Sequence, residues 1–146
     1  MNRKAALLLL FIALSAFLIE ASAQSQIICL DAGFQRIKEN IATYKVPLVR
    51  TSENVYTANL SFNGIVKMTG QYMPFGTTFI EHGEFHFFHA NGKLESTGRY
   101  ERGARVGIWK RFDDKGNSKP DRYYSPEGAE NIRLAMGIST APETKN

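Results

Sequence analysis

One cysteine, Cys29, in 146 residues rules out an internal disulfide, so stability has to come from packing and strand pairing. Basic side chains exceed acidic ones only by 18 to 14 and are scattered among them. That distribution lacks the clustered basic face on which counterion release acts, and it gives no support to a nucleic-acid partner. Phosphate-loop spacing is also missing, because the Gly98-x-x-x-x-Gly103 pair is not followed by Lys-Ser/Thr. No serine sits in a Gly-x-Ser-x-Gly elbow. Beyond the first 23 residues no apolar run is long enough to cross a bilayer. These absences disfavour an enzyme and leave a binding or structural protein as the expectation.

The N-terminus reads as a targeting segment. Arg3 and Lys4 precede a mostly apolar run of 15 residues, Ala5 to Ile19, and Ala21-Ser22-Ala23 forms a small-residue cleavage site before Gln24. Closed by Glu20, that run is shorter than the roughly 20 residues of a membrane span. A leader over 1–23 and a secreted or periplasmic product are predicted. Removing Arg3, Lys4 and Glu20 leaves 16 basic and 13 acidic side chains, a net charge of +3, on a chain sized for one domain. Ile27-Ile28 before Cys29 do not suit a lipid-attachment site, and the thiol is expected to behave as a small buried hydrophobe.

Repetition dominates the rest. Asn63-Gly64-Ile65-Val66-Lys67-Met68-Thr69-Gly70-Gln71-Tyr72 returns 28 residues later as Asn91-Gly92-Lys93-Leu94-Glu95-Ser96-Thr97-Gly98-Arg99-Tyr100, and a weaker copy follows at 24, with Gly116 for Gly92 and Tyr124 for Tyr100. Periods of this length mark stacked or meandering arrays. Each copy reads as two strands and two turns, with Asn63-Gly64 and Asn91-Gly92 suited to two-residue type I′ hairpins. A four-residue insertion holding Pro74 and Gly76 accounts for 28 against 24 and predicts a protruding loop. Leu30, Phe34, Ile37 and Ile41 fall at helical spacing behind Asp31, which predicts an amphipathic helix. Pro47 confines 44–50 to an edge strand or connector. Ser125 and Pro126 open a second helix that stops at Gly137, before a small polar tail. The organisation expected is therefore a leader (1–23), an N-terminal helix and connector (24–54), a β-repeat region (55–124), and a short helix and tail (125–146). The fold class is mainly β: an antiparallel meander of repeated hairpins forming an elongated curved sheet, with a short helix at each end.

Gly98, Tyr100, Gly103, Gly107, Trp109, Phe112 and Gly116, preceded by Gly70, Tyr72, His82-Gly83, Phe85, Phe88 and Gly92, resemble the MORN repeat. The likeness is to the variant form common in exported bacterial proteins and in proteins labelled antitoxins, and it covers about residues 55–124. It implies successive hairpins in a curved sheet, scaffolding or protein–protein interaction, and in some members membrane lipid. It carries over no catalytic residue and no cofactor.

Two site readings follow. Aromatics gathered at Phe85, Phe88, Trp109 and Phe112 suit a partner-binding strip on one face of the sheet, unless the two helices cover them and their stacking is structural. His82, Glu84 and His86 alternate on one strand, so two imidazoles and a carboxylate have the ligand types of Zn²⁺ or Cu²⁺. The protein is read as a non-enzymatic mediator of an unknown protein partner, with no nucleic acid and membrane association only peripheral. The alternative is a metal- or lipid-binding module using those three residues or the Lys/Arg-bearing strands.

Overall fold

The computed structural model describes residues 26–138, so the leader at 1–23 and the tail beyond Ile138 lie outside the described residues. Eight strands form one antiparallel sheet in chain order: β1 (Gln26–Leu30), β2 (Tyr44–Ser52), β3 (Val55–Phe62), β4 (Ile65–Phe75), β5 (Thr78–Phe88), β6 (Leu94–Glu101), β7 (Ala104–Phe112) and β8 (Ser118–Tyr124). A single helix, α1 (Pro126–Ala135), follows them among the described residues.

The turns show why the chain folds back where it does. Asn63 and Gly64 both take positive φ, 51° and 74°, the geometry a type I′ turn demands. Asn91-Gly92 is different: only Gly92 is left-handed, and its N–H donates to the His89 carbonyl at 2.9 Å. The Asn91 side-chain oxygen accepts from Lys93 N–H at 3.0 Å instead, so the second Asn-Gly builds a longer turn than expected. The insertion with Pro74 and Gly76 makes no protruding loop. It lengthens β4 and β5 to 11 residues each, paired up to Phe75 and Thr78.

The predicted N-terminal helix is absent. Leu30 ends β1, and Asp31 Oδ1 accepts N–H bonds from Gly33 and Gln35, both at 2.9 Å. Phe34 takes φ 63°, which a helix does not allow. Asp31 does cap, but it caps a turn, and only a three-residue 3₁₀ segment, Glu39–Ile41, follows. The sheet therefore starts at Gln26 and not at Val55. Pro47 lies in an inner strand, tolerated because the β2–β3 ladder begins one residue later, at Leu48 and Ala58.

One face of the sheet is the core. Ile28, Leu30, Val46, Leu48, Ala58, Leu60, Met68, Tyr72, Phe85, Phe87 and Trp109 are buried on it. A single layer can bury such residues only by curving, and the repeated glycines provide the curvature. Between β4 and β5 three residues, 82–84, oppose Gln71 alone, and between β6 and β7 residues 107–109 oppose Gly98 alone. Gly83 and Gly107 sit in these bulges with φ of 107° and 67°, and bulges bend and twist the strand that carries them. Opposite them the backbone is bare. A Cβ on Gly70 would come within 2.2 Å of the Phe85 ring, and one on Gly98 within 2.4 Å of the Trp109 indole. Each aromatic lies against the strand beside it.

The inner face is covered on one side only. The segment after β1 crosses it, with Phe34 stacked on Tyr44 and on Phe87 at ring separations of 5.9 and 5.8 Å. Arg36 ends the crossing at β5, 3.1 Å from Glu81 and donating to the Phe79 carbonyl at 2.6 Å. α1 closes the end of the sheet near the β6–β7 turn. Ser125 Oγ accepts from Gly128 N–H at 3.1 Å, while Gly137 and Ile138 N–H cap Leu134 and Arg133 carbonyls at 3.0 and 2.9 Å, the paired bonds of a glycine-terminated helix. Start and stop are those read from Ser125, Pro126 and Gly137. Cys29 is free and half-exposed, on the side away from Ile28 and Leu30, not buried as expected.

Gly98→Ala is expected to cost about 1–3 kcal/mol by forcing the indole off its seat, read as a lower urea midpoint and an altered near-ultraviolet signal from the sole tryptophan. Burial holds the Glu81 carboxyl above its ordinary range, against the opposing pull of Arg36, so the native state keeps that proton more tightly than the unfolded chain. The resulting stability is full below the unfolded pKa and is lost as pH rises through the raised folded one. The unfolding free energy of wild type minus that of Glu81→Gln should therefore fall as pH rises through the mildly acidic range. A rise would show that the Arg36 ion pair outweighs burial.

Candidate functional site

Beyond the Phe34 segment the inner face lies open as a cleft of about 450 Å³ over β6, β7 and β8. Its floor is aromatic, from Phe87, Trp109 and Tyr124. Four cations line it, Arg105, Arg111, Lys119 and Arg122, against one carboxylate, Glu95. None of the four cations enters an ion pair with a carboxylate among the described residues.

Register brings these side chains together. Arg111 is opposite Ser96 on β6 and Lys119 on β8, and Trp109 is opposite Arg122. Lys119 and Arg122 are three apart, so in a regular strand they would point to opposite faces. Residues 120–121 both oppose Lys110, and this bulge restores the two cations to one side. Pro120, which withholds a strand donor, suits such a place.

Arg105 is the built element of the cleft. Its guanidinium lies over the Trp109 ring, 4.4 Å from the centroid, close enough for a substantial cation–π attraction. Nε donates to the Tyr100 hydroxyl at 2.9 Å and Nη1 to the Tyr124 hydroxyl at 3.1 Å. Those two bonds use two of five N–H donors, and three remain for another partner. Burial pushes the Tyr100 hydroxyl above the usual tyrosine range despite Arg105. For Tyr124, burial acts in the same direction, but the hydrogen bonds and charges of Arg105 and Arg122 outweigh it and hold the group below that range.

The expected aromatic strip is divided. Phe85 and Trp109 are 2% and 1% exposed and belong to the core, in a ring series that runs across five strands, with Trp109 also underlying the cleft. Tyr72–Phe85, Phe85–Tyr100, Tyr100–Trp109 and Trp109–Tyr124 centroids are 5.3, 4.7, 5.3 and 6.2 Å apart. Phe112 lines the cleft, and Phe88 is half-buried without lining it. His82, Glu84 and His86 are not gathered into one site. His82 stands at the near side of the Gly83 bulge, where its Nδ1 accepts Arg102 N–H at 3.3 Å. Burial, with the charges of Arg99 and Arg102, pushes its pKa down. Glu84 and His86 line a shallow outer groove with Thr57, Thr69 and Gln71, and His86 Nδ1 is 2.9 Å from Thr97 Oγ1. No group of three His, Cys, Asp or Glu side chains placed to hold a metal occurs among the described residues.

The four cations were missed because the sequence scatters them. One signal was available: at the 24-residue offset, Arg105 falls on the position of Glu81. Tyr124 is expected to ionise ahead of Tyr72 and Tyr100, both held above the usual range chiefly by burial. Arg122→Gln should move that first phenolate absorbance step to higher pH. An unmoved step would separate Arg122 from the cleft. No family model, curated protein or solved structure matches this chain.

Proposed function

We propose that this chain is a non-enzymatic binding module that engages another protein through the open half of its inner face. The observation that carries this reading is the cleft itself: an aromatic floor with one acid and four cations that pair with no carboxylate among the described residues. Arg and aromatic side chains at the centre of a concavity are the residue types that dominate binding energy at interfaces. Cations arranged without a counter-charge favour association with an anionic surface and speed the encounter. The resemblance to MORN repeats supports a scaffolding or interaction role, and the leader-like stretch 1–23 supports a place in the cell envelope or outside the cell.

Affinity capture with the full chain from its native envelope and secreted fractions tests the reading, with the folded Arg111→Glu, Lys119→Glu double variant as control. A partner held by wild type and lost by the variant is the expected result. Equal capture by both, or a hydrolytic or transfer activity intrinsic to the chain, would overturn the proposal.

A further inference from the structure

Positions 81 and 105 are equivalent in successive copies of the repeat, 24 residues apart. Glu81 stands opposite Tyr72, and Arg105 opposite Tyr100, itself the repeat equivalent of Tyr72. In the first copy the chain fills the position with side chains of its own. The segment after β1 crosses the face, Phe34 stacks on Phe87, and Arg36 pairs with Glu81 at 3.1 Å. In the second copy the charge is reversed, and no described carboxylate pairs with Arg105.

From this we infer that the cleft takes an extended acidic segment of a partner protein, seated over β7 and β8 as the Phe34–Arg36 segment is seated over β5. The inference rests on the binding-module reading and names the chemistry of the partner. Counted along β6, the cations fall in three rows: Arg111 and Lys119 level with Ser96, Arg122 level with Gly98, and Arg105 level with Tyr100. Rows two residues apart lie about 6.5–7 Å from one another. An extended chain presents same-face side chains at that interval, so acids at every second residue meet successive rows. A lone phosphate or sulfate asks for donors that converge on one point, whereas the strand positions that carry these four cations span about 13 Å of backbone. The Arg105 donors left over by Tyr100 and Tyr124 suit the two-oxygen geometry of a carboxylate.

Trp109 is the only tryptophan and forms part of the cleft floor, so its emission reports occupancy. The probe is a synthetic peptide of alternating Glu and Ser, titrated into the full chain beside its Gln-Ser counterpart, inorganic phosphate, a sulfated glycan and phosphatidylglycerol vesicles. A saturable change with the Glu peptide alone is expected. It should weaken with added salt and fall by roughly 3- to 10-fold in affinity in Lys119→Gln, Arg122→Gln. Both residues are exposed, and the single variants serve if the double variant does not fold. No response to the Glu peptide, an equal response to the Gln peptide, or a stronger one to phosphate, glycan or vesicles would overturn the inference. A captured partner sensitive to Arg111→Glu, Lys119→Glu, together with a silent Glu peptide, would leave the binding module standing and remove the acidic segment. Loss of both results removes both.

Discussion

The close approach of an aromatic ring to a bare stretch of neighbouring strand underlies everything else in this sheet. Phe85 lies over Gly70 and Trp109 over Gly98, each at a distance that leaves no room for a methyl group. The bulges around Gly83 and Gly107 aim those rings, and Tyr72 and Tyr100 meet them edge-on at 5.3 Å. Edge-to-face pairs contribute about 0.5–1.5 kcal/mol beyond the area they bury. The larger effect is geometric. A single-layer sheet has no second layer to pack against, and bending it around its own aromatics makes one face an interior.

That interior is then divided by a change of charge. Copies of the repeat that agree in Gly, Tyr and aromatic positions differ at Glu81 and Arg105. Arg36 is attracted to the first and would be repelled by the second, so the segment that crosses to β5 forms the edge of the cleft, through Gly33 and Phe34, and does not cover it. Buried ion pairs often add little net stability because both partners must be desolvated. Here the pair fixes where the covering segment ends, and with it which part of the face stays accessible.

Features encoded by neighbouring residues were legible in the sequence, and those assembled across strands were not. Ser125, Pro126 and Gly137 mark α1 because caps act within a turn of the chain. Asn63-Gly64 marks a hairpin because positive φ at both positions is a local demand. Leu30, Phe34, Ile37 and Ile41 misled because a strand end, a left-handed residue and a 3₁₀ turn happened to reproduce a helical spacing. Phe85 and Trp109 were recognised as a repeated pair, but their side of the sheet depended on bulges that no periodicity reveals. The cationic cleft was the least legible feature, since it combines residues from four strands with an odd bulge that turns Lys119 and Arg122 to the same side. A scattered charge in the sequence became a concentrated one in the fold.

Every ladder in the sheet joins strands adjacent in the chain, which has a kinetic side. Closing a short loop costs little entropy, and the cost grows only slowly with length, so such an array assembles hairpin by hairpin through mostly local contacts. The Arg36 to Phe79 hydrogen bond, 43 residues apart in sequence, spans the greatest separation of the side-chain hydrogen bonds described. The molecule thus combines a topology of local closures with a long-range tether, through which the segment after the first strand is held to the fifth.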